Sequence, residues 1–454
     1  MVNGRGAILV VVMVLTALTS VLAGSLLFRM HAEMSASGAS LRGEQAYAAA
    51  YSGIRRAMTL AVGDDWYDNP ELLKNQFVFD DGVNRWYFTV YAHDPTDHQS
   101  PRYGLSDHSG RIDLNSADAD TLLALPNMTD ELADTLLDYR DEDDVTRAQG
   151  AEQGYYDQLE YPYLIPNGPF DSVEELLMVK GFTAAVVYGE DANLNGVLDA
   201  NEDDGDDSFP PDNRDGTLDR GLLGLLAVDI STPNTDSNGE SRVNILSADR
   251  GALEAAGLSG QTVRFILVVR REDEDMLSHP SGLLQADHQL REDYEDLGLR
   301  AGDVIESGVT SAELPDMLDK LTCTDEQTLT GLVNVNTAPA EVLAALPEVD
   351  EYTARRIVDY RTGIGVGERA TPAWLYTQNV LDASEFKRVA PRLTTRGSRF
   401  GVRSVGFSVP DGRFCVLEAV IDVSAGSPRI VRTREITRLG LPFVPDADEI
   451  RRES

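Results

Sequence analysis

Ala7-Ile8-Leu9-Val10-Val11-Val12-Met13-Val14-Leu15-Thr16-Ala17-Leu18-Thr19-Ser20-Val21-Leu22-Ala23-Gly24-Ser25-Leu26-Leu27-Phe28 carries no charge. At about 1.5 Å of rise per residue, that run reaches across a bilayer as a single helix. It is preceded by the polar stretch Met1 to Gly6, in which Arg5 is the one charged side chain. A cleaved secretory signal would be followed by a change of character. Here helix formers continue past Arg29, and Tyr47, Tyr51, Ile54 and Met58 recur at steps of four and three along one face. The reading is one long helix, half in lipid and half out, and a plain signal anchor fits the same residues.

Outward from this helix, the 454-residue chain has room for several domains with cores of their own. Its formal net charge of -37 repels phosphate backbones and anionic lipid surfaces, which argues against a nucleic-acid partner. Cys323 and Cys415 are the two cysteines. They form no CxxC pair or Cys/His cluster, so a structural zinc site is excluded. With Arg5 on the cytoplasmic side the bulk of the chain lies outside the cytoplasm, where these thiols either pair or stay buried and free.

The segment Phe77 to Tyr91 alternates apolar and polar residues around Asp81-Gly82 and reads as a β-hairpin. Near the C-terminus, Phe400–Val409, Phe414–Val423 and Arg429–Leu439 read as further antiparallel strands. Between them lies an internal repeat. Ile112-Asp113-Leu114-Asn115-Ser116-Ala117 through Leu125-Pro126 recurs as Val333-Asn334-Val335-Asn336-Thr337-Ala338 through Leu346-Pro347, in register to Arg140 and Arg361. A shorter third copy runs from Val243 to Leu253. Each copy predicts a short strand, a Ser or Thr helix cap, a turn and a second helix. This pattern resembles a helix-hairpin-helix. The turns at Pro126 to Asp130 and Pro347 to Glu351 lack the glycines that let backbone approach a phosphate and place carboxylates there instead, so these hairpins are expected to pack rather than to grip DNA.

Asp191-Ala192-Asn193-Leu194-Asn195-Gly196-Val197-Leu198-Asp199-Ala200-Asn201-Glu202 matches a calcium-loop spacing. Asp191, Asn193, Asn195 and Asp199 offer side-chain oxygens, Val197 a carbonyl and Glu202 a two-oxygen carboxylate; Gly196 permits the turn, and Leu198 is the expected apolar anchor. One Ca2+ is expected here. A second is weighed at Asp212 to Asp219, near the repelling carboxylates Asp203, Asp204, Asp206 and Asp207. No Gly-x-Ser-x-Gly, Walker loop or HExxH occurs, and Gly363 to Gly367 follows a helix rather than a strand. The reading is noncatalytic.

Arg5-Gly6-Ala7-Ile8-Leu9-Val10-Val11-Val12 resembles a prepilin leader cut between Gly6 and Ala7, as in the type IV pilin and pseudopilin superfamily. With the Asn115 and Asn336 repeats and Phe170-Asp171-Ser172-Val173-Glu174-Glu175-Leu176-Leu177, the chain resembles the type II secretion minor pseudopilin K family. The resemblance implies an α+β fold, a pilin-like long helix packed on an antiparallel sheet with a large inserted helical domain. The segments would be a leader at 1–6, a membrane helix at 7–28, helix continuation and first strands at 29–111, the inserted domain with its calcium loop at 112–362, and closing strands at 363–454. It further implies a subunit at the tip of a periplasmic pseudopilus that assists export across the outer membrane. Its partners would be the I and J minor pseudopilins, the major pseudopilin, the prepilin peptidase, which exposes an N-terminus open to methylation, and the inner membrane. An anchored helix-hairpin-helix DNA-uptake protein, and an anchored calcium-binding exported protein of other activity, are the rival readings.

Overall fold

Helix α1 spans Gly4–Leu60 without a break, about 85 Å of helix, in the computed structural model, which describes residues 4–63, 66–95, 97–441 and 443. Met1 to Asn3 of the expected leader lie outside the described residues. From Leu9 to Phe28 the large apolar side chains face outward, on a helix long and apolar enough to cross a membrane. Two threonines in that stretch carry their own acceptors, Thr16 Oγ1 donating to the Val12 carbonyl and Thr19 Oγ1 to the Leu15 carbonyl, both at 2.9 Å.

The second half of α1 docks on a sheet through small side chains. Ala46, Ala49, Ala50, Ile54 and Ala57 are buried, whereas Tyr47 and Tyr51 stack on each other at the exposed edge. The expected apolar face therefore divides, with Ile54 and Met58 going under and the tyrosines staying out, because the helix lies too close to the sheet for an aromatic ring between them.

Six strands form this sheet: β1 (Gln76–Asp80), β2 (Arg85–Tyr91), β3 (Ser106–Asp107), β4 (Arg399–Val409), β5 (Phe414–Asp422) and β6 (Arg429–Glu435). Their order is β1-β2-β4-β5-β6, with β3 beside the start of β4, and all pairings are antiparallel. The period of two holds on both faces. Trp86, Phe88, Val90, Val402, Leu417 and Ala419 join the core under α1, while Tyr87, Tyr91, Val405, Phe407 and Val416 form a second cluster on the opposite face. Since β2 pairs directly with β4, everything between Tyr91 and Arg399 other than β3 is inserted between two neighbouring strands.

That insertion has a separate core, running from Ile112 to Leu393. The closing strands accordingly begin at Arg399, not at residue 363: Trp374–Thr377 and Ala383–Val389 are helices whose Trp374, Leu375 and Phe386 are buried with the insertion. Three hairpins build it. These are α2 (Ala119–Leu123) with α3 (Asp130–Arg140), α5 (Arg250–Ala255) with α6 (Gly260–Glu272), and α7 (Ala340–Ala344) with α8 (Glu351–Arg361); the short α4 (Gln153–Tyr156) follows the first. The third copy is thus complete and continues past Leu253 to Glu272.

The helix caps fall two residues later than the repeat pattern suggests. Asp118 and Asp249 accept the amides of Thr121 and Ala252, and Pro339 stands in the equivalent place, whereas Ser116 and Thr337 bond instead to Asp113 and Asp107. Each hairpin needs one left-handed residue, supplied by Asn127 at φ 61°, Gly257 at φ 93° and Glu348 at φ 68°. In every copy the arginine of the second helix returns to the first segment, Arg140 to the Ala117 carbonyl, Arg270 to that of Ala248 and Arg361 to that of Ala338.

Candidate metal centre

The loop from Asp191 to Glu202 folds through its own side chains. Asn193 and Asn195 accept the amides two residues on, from Asn195 at 2.9 Å and Val197 at 2.6 Å, and Gly196 turns the chain at φ 77°. Asp191 Oδ2 accepts the Gly196 amide at 3.1 Å. Glu202 folds back across the loop, its Oε1 accepting from the Ala192 amide and its Oε2 from the Asp199 amide, both at 3.1 Å. Both amide nitrogens, Asn193 Nδ2 at 2.7 Å and Asn195 Nδ2 at 2.9 Å, donate to Asp199 Oδ2.

Two carboxylates are deeply buried, Asp191 at 2% and Glu202 at 1% exposure. Burial raises Glu202 to about 7 against its backbone donors, and burial raises Asp191 against the pull of Arg220 and Arg403. Asp191 Oδ1 is buried without a partner. Its Oδ2 lies 3.6 Å from Arg220 Nε. The donor set, all oxygen and with two buried acids, fits a hard cation. However, the loop's carboxylates are not gathered on one point. Among the described residues the set of three whose oxygens lie within 4.8 Å of one another is Asp141, Asp143 and Glu152.

Residues distant in sequence fix the loop's position. His93 Nδ1 lies 2.9 Å from the Gly196 carbonyl, the Leu198 amide donates to the His98 carbonyl at 2.6 Å, and the Arg403 guanidinium donates to the Leu194 carbonyl. Burial beside Arg220 holds His93 down at about 3, hence neutral. Val197 is buried and Leu198 half-buried, so the apolar anchoring falls one residue earlier than expected. No local pattern in the sequence points to His93, His98, Arg220 or Arg403.

The second acidic stretch is satisfied by backbone amides. Asp212 accepts from Asp204, Gly205 and Arg214, and Glu190 ties the stretch down by accepting the amides of Asn213 and Asp219, both at 3.2 Å. Asp207 pairs with Arg214 at 3.1 Å. Cys323 and Cys415 are both free, one against the helical core and one in the core under α1.

No curated protein matches the chain. Residues 330–394, which include α7 and α8, match the helix-hairpin-helix motif. A chain of the solved GspK-GspI-GspJ complex from the enterotoxigenic Escherichia coli type 2 secretion system is similar over 90% of this chain and 99% of that chain, at 13% identity and a TM-score of 0.33. Residues 111–188, from the first repeat through the Phe170 segment, match the family model of type II secretion system protein K.

Proposed function

We propose that this chain is the noncatalytic minor pseudopilin at the tip of a type II secretion pseudopilus, anchored in the inner membrane by α1 with its bulk in the periplasm. The protein K domain at 111–188 carries this reading. Val11 supports the position. After cleavage behind Gly6 it would be the fifth residue, where the superfamily usually holds a glutamate that pairs with the amine of the subunit above. A valine there leaves such an amine without a partner, and an unpaired charge in lipid costs several kcal/mol, roughly, so the absence suits a subunit with nothing above it. The inserted helical domain would also obstruct a subunit stacked on top. Partners, the I- and J-type minor pseudopilins and the major pseudopilin, would then bind from below, along α1 and the exposed Tyr47–Tyr51 stack. Co-expression of the full chain with candidate I and J pseudopilins should yield a one-to-one-to-one complex on native mass spectrometry. Homopolymeric filaments of this chain alone would remove the tip assignment.

The Asp191–Glu202 loop is proposed to hold calcium, supported by the buried, unpartnered Asp191 Oδ1 and the buried Glu202. Asp191, Asn193, Asn195, Asp199, Glu202 and the Val197 carbonyl would supply its oxygens. Calcium there would neutralise two buried acids and brace the loop against the sheet.

A further inference from the structure

On the sheet face turned away from α1, Arg403 of β4 stands directly across from Glu418 of β5. Between this face and the insertion lies a cavity of about 180 Å³. Some of the arginines that line it are matched: Arg403 pairs with Glu418 at 3.0 Å, Arg434 with Glu174 at 2.9 Å and Arg399 with Asp229 at 3.2 Å. The remaining lining carboxylate, Asp171, is exposed. Arg111, Arg220 and Arg432 line the same cavity with no carboxylate in hydrogen-bond reach among the described residues. Arg111 donates only to neutral groups, the Ser106 hydroxyl at 3.1 Å and the Leu223 carbonyl at 3.4 Å. Arg220 approaches Asp191 to 3.6 Å through an Nε that has no hydrogen-bond partner. Burial, and then the charges of Arg220 and Arg403, hold Arg111 down at about 9. Guanidinium groups gathered in this way are costly unless an anion answers them.

We propose that this cavity binds a small organic carboxylate, its oxygens on Arg111 and Arg220 and its apolar part against Val173, Leu223 and Leu226. A guanidinium matches a planar carboxylate with charge-assisted N–H···O bonds, and the exposed Arg432 marks the open side from which the acid enters. The size agrees, since an apolar cavity of about 150 Å³ already accepts a benzene ring. Inorganic phosphate would bring more charge toward Glu418 and Glu174 and would gain nothing from the apolar wall. Small-molecule sites commonly have this make-up, an apolar lining with a few convergent polar groups where two structural units meet.

Titration calorimetry of the full-length protein in detergent, against a detergent blank, tests this with benzoate as the probe. Benzoate should bind, and benzamide, of similar shape but uncharged, should bind about tenfold more weakly. Detergent micelles would favour the uncharged amide, so they cannot mimic that order. Arg111→Gln should weaken benzoate about tenfold, and Arg432→Gln, a change at an exposed residue that the core does not need, about threefold. The benzamide comparison and Arg432→Gln decide the matter even if Arg111→Gln does not fold. No binding of benzoate at millimolar concentration, equal affinities for benzoate and benzamide, preference for inorganic phosphate, or wild-type affinity in either folded variant would overturn the site.

Discussion

Glu418 on β5 illustrates what one side chain contributes. Burial alone would raise it, but Arg403 at 3.0 Å and Arg434 at 2.5 Å overcome that and hold it at about 2, well below its ordinary 4.5. A depressed carboxylate stabilises the fold above its unfolded pKa and loses that contribution as pH falls through its folded one. The pair should therefore contribute about 3 kcal/mol at neutral pH, vanishing between about pH 4.5 and pH 2. In thermal melts, wild type should exceed Glu418→Gln at pH 6 and converge on it toward pH 2. A gap that stays constant with pH would mean the pair is not the source. In the Asp191 loop, Glu202→Ala should weaken calcium binding more than tenfold, about as far as losing two oxygens and a charge dictates, and Asn193→Ala only a few-fold. Titration calorimetry separates them, and equal losses would remove Glu202 as the closing ligand.

At the scale of elements, the contact of α1 with β4 rests on absent side chains. A methyl at Gly406 would overlap the backbone of Ala46 and Ala50, and one at Gly53 would meet Ser404 and Phe88. Helix and strand must separate to admit either. Gly406→Ala should cost about 3 kcal/mol, at the high end for overpacking. By contrast Gly43→Ala, on the same helix with open space around it, should stabilise by about 0.5–1 kcal/mol. Denaturant melts of the two variants measure the difference; equal stabilities would show that α1 does not bear directly on β4. The repeat hairpins were legible at this scale because strand, turn and helix follow one another in the chain. Their caps were less so, since Ser116 and Thr337 are good cap residues and only the packed loop shows them bonded elsewhere.

For the molecule as a whole, the long helix, the sheet and the insertion make one arrangement in which the apolar half of α1 stands clear of both cores. A processed protein should begin at Ala7. Intact mass of the membrane-extracted chain, produced in a host with a prepilin peptidase, should lack Met1 to Gly6, and retention of those residues would leave a plain anchor in place of a pilin-like subunit. The carboxylates behind the net charge of -37 include several that accept backbone amides, as Asp212 and Glu190 do.

The sequence by itself determined the apolar span, the alternation of β2 and of β4 to β6, and the repeated hairpins, because each is a periodic pattern read between neighbours along the chain. It also located the Asp191 loop, whose turn and Asx bonds are local. Tertiary structure alone decided that His93 and Arg403, 103 and 209 residues from their partners in that loop, would hold it to the sheet. It likewise decided that Glu152 would be buried facing Asp141 and Asp143, and that small residues rather than Tyr47 and Tyr51 would meet β4. The physical reason is common to all three: burial and charge proximity depend on distance in space, which short-range periodicity does not encode.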